Sequence, residues 1–331
     1  MNPAVAAIPK AELHVHLEGT ATPDLIRRLA RRNGIALPED RLFNPDGTFA
    51  WNDFLHFLES YDIAASAIRT GQDYRDVTYE YLSACAAEGA VYVELIASLD
   101  HGRNVGLDDA EHLAGIAQGI DDARADHGIT GRIISSIVRN FGVADGEDVA
   151  QRTVALAHPY VVGFNMAGDE ANFPASDYAR AFAIAHEAGL GCSVHAGEHA
   201  GPESIRAALA LPGVARISHG VRAVEDPDLV KELAEREIVL EICPTSNVVL
   251  GVFPTYEDHP LGALRAAGVP VTLGSDDPPY FGTTIGREYA LAHERLGCTL
   301  EDLGTITETA LNAAFSDTEG LVNQPDRHAD L

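Results

Sequence analysis

Eight short β-branched runs, each followed by a longer stretch of helical pattern, set the strongest limit on what this chain can become. They are ELHVH (12–16), VYVELIAS (91–98), GRIISSIV (131–138), VVGFNMAG (161–168), GCSVH (191–195), ARISH (215–219), IVLEIC (238–243) and PVTLGSD (270–276). Strand, helix, strand alternation selects a parallel sheet covered by helices over an antiparallel sandwich. Eight repeats is the number that closes a TIM (β/α)8 barrel. A doubly wound open sheet is the structural alternative, because periodicity carries no information on closure. The 331 residues suit one barrel of about 250 residues with insertions. With no internal repeat and no linker, we expect a single domain over residues 1–331.

The repeats are evenly spaced except after the first run, where residues 17–90 intervene. This insertion carries Thr22-Pro23-Asp24, a helix start, and Gly34 where that helix should stop. Trp51, Phe54, Leu55, Leu58 and Tyr61 then recur at helical spacing. Such a helix either packs on the barrel wall or forms a lid over its mouth. The lid is the sharper expectation, because a connection leaving strand one emerges at the C-terminal face, where barrel active sites lie. Further along, Ser176 before DYARAFAIAHEAG and Asp226-Pro227 before LVKELAERE mark two later helix starts.

Composition narrows the possible partners. Twenty-three basic against fifty acidic side chains leave a net charge of −27, which repels nucleic-acid polymers and anionic membrane surfaces. The chain is 46% apolar, ordinary for a globular protein, and no run approaches the 18 apolar residues of a membrane span. The N-terminal MNPAVAAIPK lacks the cationic and apolar regions of a signal peptide, so a cytoplasmic protein is expected. Cys85, Cys192, Cys243 and Cys298 form no CxxC pair and read as buried free thiols.

Four of the fourteen histidines fall at strand ends: His14 and His16 on the first run, His195 on the fifth and His219 on the sixth. A single histidine is more often structural than a ligand, but four strand-end histidines converge on one barrel mouth. His14 and His16, two apart, share a face of their strand. With His195 and Asp276 at the end of the eighth run, they make a three-histidine, one-carboxylate set of the kind zinc accepts. Adjacent Asp277 is expected to point away from Asp276 and to face a substrate nitrogen or proton. Glu198, three residues beyond His195 in HAGE, is placed to carry a proton beside a metal without binding it.

The segments PKAELHVHLEGT (9–20), FNMAGDE (164–170), SVHAGE (193–198), ISHGVRAVEDPDLV (217–230), EICPTSN (241–247) and VTLGSDDPPYFGTT (271–284) together resemble the adenosine deaminase family of the metal-dependent amidohydrolase superfamily. The likeness runs from about Pro9 to near residue 315. It implies one zinc held by His14, His16, His195 and Asp276, with Glu198, His219 and Asp277 catalytic and the backbone N–H of Gly168 on a purine ring nitrogen. Deamination then needs a water activated by the metal, oriented by His219, which accepts or stabilises its proton. Protonated Glu198 would donate to N1 and Asp277 would hold N7, with ammonia leaving. His16 and Glu18 would line the substrate, Glu18 standing where animal-type enzymes have an aspartate that meets the ribose. Phe54 and Leu58 would cover it.

The expected substrate is a small purine nucleoside, adenosine or 2′-deoxyadenosine. The alternative is adenine or another 6-aminopurine, such as an N6-substituted adenine or 6-aminodeoxyfutalosine. A lysine-bridged binuclear hydrolase is disfavoured, because the two lysines, Lys10 and Lys231, lie outside the interval between HxH and the third histidine. A catalytically silent purine-binding protein on the same scaffold is the reading from another class, and a complete acid/base set argues against it.

Overall fold

A computed structural model describes residues 2–321. Eight strands, β1 (Lys10–Glu12), β2 (Ala90–Ala97), β3 (Thr130–Val138), β4 (Val161–Ala167), β5 (Gly191–Ala196), β6 (Val214–His219), β7 (Val239–Ile242) and β8 (Val271–Leu273), pair in sequence order. Every pairing is parallel. The first and last expected strands differ most, since β1 stops before His14 and β8 before Asp276. Beyond those points the ladder continues as single bridges, Val15 with Asp276 and His16 with Ile96. His16 N–H donates to the Asp276 carbonyl at 3.0 Å, and Asp276 N–H to the His14 carbonyl at 3.2 Å. These bonds bring the two edges together, giving the (β/α)8 barrel that the alternation predicts.

The insertion holds the helices Pro23–Asn33, Glu39–Leu42, Phe54–Ala65 and Gly71–Ala87. Thr22 caps the first by accepting from Leu25 N–H, and Gly34 ends it at φ 66°, a left-handed conformation that glycine adopts without steric cost. Its Leu25, Ile26 and Leu29 are buried against the main core. Asp226 caps Pro227–Glu235 as its sequence suggests. At Ser176 the chain first winds as a 3-10 turn, Ala175–Tyr178, and the α-helix begins at Ala179.

Below the mouth the barrel interior is polar. Arg216, fully buried, pairs with Glu94 at 2.6 Å and with Glu241 at 2.6 Å, and Ser218 Oγ donates to Glu241 at 2.7 Å. A buried guanidinium held between two carboxylates is paired on both sides and fixes the floor on which the site stands. All four cysteines are free and buried. No helix among the described residues is long and apolar enough to cross a membrane.

Candidate active site

The strand ends bring together the residues expected there. The ligand atoms of His14, His16 and His195 lie within 4.8 Å of one another, and His16 Nε2 stands 3.1 Å from His195 Nε2. Asp276 Oδ1 is 3.6 Å from His14 Nε2 and 3.4 Å from His16 Nε2. Two of these rings are oriented from behind, with His14 Nδ1 3.3 Å from the Glu241 carbonyl and His195 Nδ1 3.0 Å from the Met166 carbonyl. A carbonyl only accepts, so both Nδ1 atoms carry hydrogen and both Nε2 lone pairs face the cluster. His14 Nε2 is buried with no hydrogen-bond partner. Converging imidazole lone pairs beside a carboxylate are costly unless a cation takes them, so the donor set fits a metal ion.

The expectation that Asp276 and Asp277 point apart is corrected. It assumed an extended segment, but Asp276 sits at φ 64°, a left-handed conformation uncommon for aspartate. That turn brings both carboxylates within 4.8 Å of the His16 ligand atom and of each other. Asp277 Oδ1 is buried without a partner and faces Gly19, where a Cβ would stand 1.7 Å from it. Glycine at position 19 is therefore required for Asp277 to occupy its place. Burial, with the charge of Asp276 next, pushes Asp277 well above the usual carboxylate range.

Glu198 Oε2 lies 3.6 Å from His219 Nε2, and burial followed by the charge of Asp276 also pushes its carboxyl well up. Its loop is shaped by Glu170, which accepts from the N–H groups of Gly197 (2.9 Å), Glu198 (2.8 Å) and Ala200 (2.8 Å) and from Ser204 Oγ (2.5 Å). Arg139, buried, donates to the His195 carbonyl at 2.6 Å. His219, like Asp276, has a left-handed backbone, φ 63°.

A cavity of about 80 Å³ opens over this cluster, lined among others by His16, Glu18, Phe54, Leu58, Gly168 and Asp277. Gly168 is at φ 101°, and a Cβ there would meet Asn140 Oδ1 at 2.3 Å. Glu18 is buried and accepts from Tyr61 and Tyr74 hydroxyls, each at 3.3 Å. Of the other residues in the predicted apolar stripe, Leu55 is 62% exposed and Trp51 packs on Phe57 and Phe281.

Several lining or supporting residues escaped sequence reasoning. His101 lines the cavity with its Nε2 3.1 Å from Asp62. His199 packs tilted against Phe54, ring centroids 4.2 Å apart, with Nε2 3.6 Å from Glu198 Oε1. Glu170 lies within the FNMAGDE segment, and its proximity to that motif was the only available signal.

A parallel barrel with histidines and carboxylates at its C-terminal mouth defines a class of metal-dependent hydrolases. The family model described as adenosine deaminase matches residues 9–324. A curated protein of Chelativorans sp. (strain BNC1), named adenine deaminase, is 48% identical over 93% of this chain and 94% of its own length. The crystal structure of adenine deaminase from Arthrobacter aurescens superposes with a TM-score of 0.88 at 30% identity, covering 96% of this chain and 97% of that one. An amidohydrolase structure from Burkholderia ambifaria, described with bound Zn, gives 0.87 at 26% identity, covering 97% and 89%. The chain belongs to the adenosine deaminase family of the amidohydrolase superfamily. It is a hydrolytic deaminase. Adenosine as its expected substrate is overturned, because these relatives carry the name adenine deaminase. The family is common to both substrates, so motifs shared across it did not separate them.

Proposed function

We propose that the chain hydrolyses adenine to hypoxanthine and ammonia with zinc as its metal, the base being covered by the insertion of the single 1–331 domain. The observation that carries this reading is the cavity: about 80 Å³ is small beside the roughly 300–1,000 Å³ of pockets for drug-sized ligands. The names of the relatives support the same choice, and the zinc described in the Burkholderia ambifaria structure supports the metal.

His14, His16, His195 and Asp276 would hold the ion. A zinc ion held there would supply Lewis acidity and make a hydroxide nucleophile available near neutral pH. Glu198, held neutral by burial, gives its proton to ring N1 and so weakens the aromaticity that protects C6. Asp277, also neutral, donates to N7. The Gly168 N–H approaches a ring nitrogen at the other edge, and His219 orients the water. Glu18, fixed by Tyr61 and Tyr74, faces the edge of the base that bears the sugar in a nucleoside. Phe54 and Leu58, on the lid helix, exclude solvent from the ring.

The test is a comparison of kcat/KM for adenine, adenosine, N6-methyladenine and 6-aminodeoxyfutalosine on zinc-loaded enzyme. Adenine is expected to exceed the others by at least about tenfold, a difference of 1.4 kcal/mol in transition-state binding. Another purine ahead by that margin overturns the assignment.

A further inference from the structure

Behind His219 runs a line of buried polar groups that no part of the reaction has yet used. It begins at a backbone amide: Leu261 N–H lies 3.3 Å from His259 Nδ1. A backbone N–H only donates, so His259 Nδ1 accepts, and the neutral ring carries its hydrogen on Nε2. That Nε2 is 3.2 Å from Asn247 Oδ1, the accepting end of the side-chain amide. The other end, Nδ2, is 3.2 Å from His219 Nδ1 and only donates. His219 Nδ1 is thereby a bare acceptor, and its neutral ring carries hydrogen on Nε2. This atom stands in the site, 3.6 Å from Glu198 Oε2 and 3.8 Å from Asp276 Oδ2.

The line has one consistent direction. Reversing the Asn247 amide would set its NH2 against His259 Nε2–H, and His259 cannot reverse while Leu261 N–H occupies Nδ1. His219, Asn247 and His259 are 1%, 0% and 7% exposed, so water offers little relief from a mismatched pair. Burial also pushes His259 down to about 4, which keeps its ring neutral at physiological pH.

We infer that Asn247 and His259 are positioning residues that hold His219 as its Nε2–H tautomer, so that His219 meets the attacking water as a hydrogen-bond donor to the oxygen and not as the acceptor of its proton. Proton acceptance at Nε2 would require hydrogen on both ring nitrogens or a reversed tautomer, and either places Nδ1–H against Asn247 Nδ2–H. This narrows the two roles open to His219 on sequence grounds to one, and it gives a purpose to the asparagine of the EICPTSN segment. It rests on the deaminase reading of the site but not on which purine is turned over.

The experiment is a two-dimensional 15N–1H correlation spectrum of uniformly labelled protein, which separates Nε2–H from Nδ1–H imidazoles, with a His219→Gln variant for assignment. Wild-type protein, metal-free and zinc-loaded, is expected to give the Nε2–H pattern for His219 and His259. The near-isosteric Asn247→Asp presents a carboxylate oxygen to His219 Nδ1 while still accepting from His259. It is expected to reverse the His219 pattern, to leave Tm within a few degrees and to lower kcat by about 10- to 100-fold with KM little changed. An Nδ1–H or doubly protonated His219 in wild-type protein at neutral pH overturns the inference. So does an Asn247→Asp protein that keeps the Nε2–H pattern, or one that reverses it with kcat unchanged. Should that variant fail to fold, the wild-type spectrum decides. The spectra contain no substrate, so an error in the adenine assignment would leave them unaltered.

Discussion

In the proposed reaction Glu198 can donate a proton only while neutral, and burial followed by the charge of Asp276 raises its carboxyl and so favours that form. Glu198→Gln retains the shape and the hydrogen-bonding loop but has no proton to give. We expect kcat to fall by about 10²- to 10⁴-fold with Tm and zinc content retained, measured by ammonia release and thermal unfolding. A kcat near wild type would remove Glu198 from the acid role. Glu170 is the residue on which its position depends. Glu170→Ala strips the acceptor from three backbone N–H groups and one hydroxyl, each costing about 1–3 kcal/mol if left unpaired. The expected result in urea unfolding is a lowered midpoint together with a fall in kcat. An unchanged midpoint would mean that water replaces the carboxylate without loss.

At the scale of elements, the insertion's helix Phe54–Ala65 presents two faces with different predicted sensitivities. Phe54→Ala removes a ring that lines the cavity, and KM for the purine should rise by about tenfold with bound zinc unaltered. Leu55→Ala, on the exposed face, should leave both constants as they are, and equal effects of the two would remove the lid from the binding argument. The strands and the helix caps were legible in the sequence because each is a local pattern: alternation, Thr22 before Pro23, Gly34 after Asn33. His14, His16, His195, His219 and Asp276 were legible because strand ends in a barrel share one mouth. What was hidden depends on pairings between distant segments. Glu170 acts on residues 197–204, Gly19 yields to Asp277, and His259 reaches His219 only through Asn247. The turn at Asp276 was hidden for another reason, since an aspartate with positive φ breaks the local rule used to place its neighbour.

For the whole molecule, charge and buried carboxyl groups govern the response to solvent. A net charge of −27 repels itself across the surface, and salt shortens the reach of that repulsion. Tm is expected to rise between low salt and about 1 M KCl, where the screening length is about 3 Å; a falling Tm would mean that the surface ion pairs outweigh the excess charge. Burial pushes Glu288 up to about 7 from its ordinary 4.5, although Thr245 N–H and Thr283 Oγ1 donate to it. Between those two values the folded chain binds more protons than the unfolded one, so stability falls as pH rises from 4.5 to 7. Glu288→Gln should flatten that slope, the variant gaining roughly 3 kcal/mol relative to wild type across the window. Parallel curves would show that Glu288 ionises normally.

The seam of the barrel runs through the same short stretches that carry the chemistry. Asp276 fastens the last strand to the first, and His16 fastens the first strand's continuation to the second. Clasp and reactive centre are thus one piece of chain, and a molecule whose seam has parted holds no half-built site. In the zinc-loaded protein, thermal inactivation should keep step with the opening of the barrel. Descendants of this chain that abandon the reaction face a mechanical problem as well as a chemical one. The closing bonds are made by backbone groups, so whatever replaces His16 or Asp276 must keep its N–H, which proline lacks, and position 276 must tolerate a positive φ.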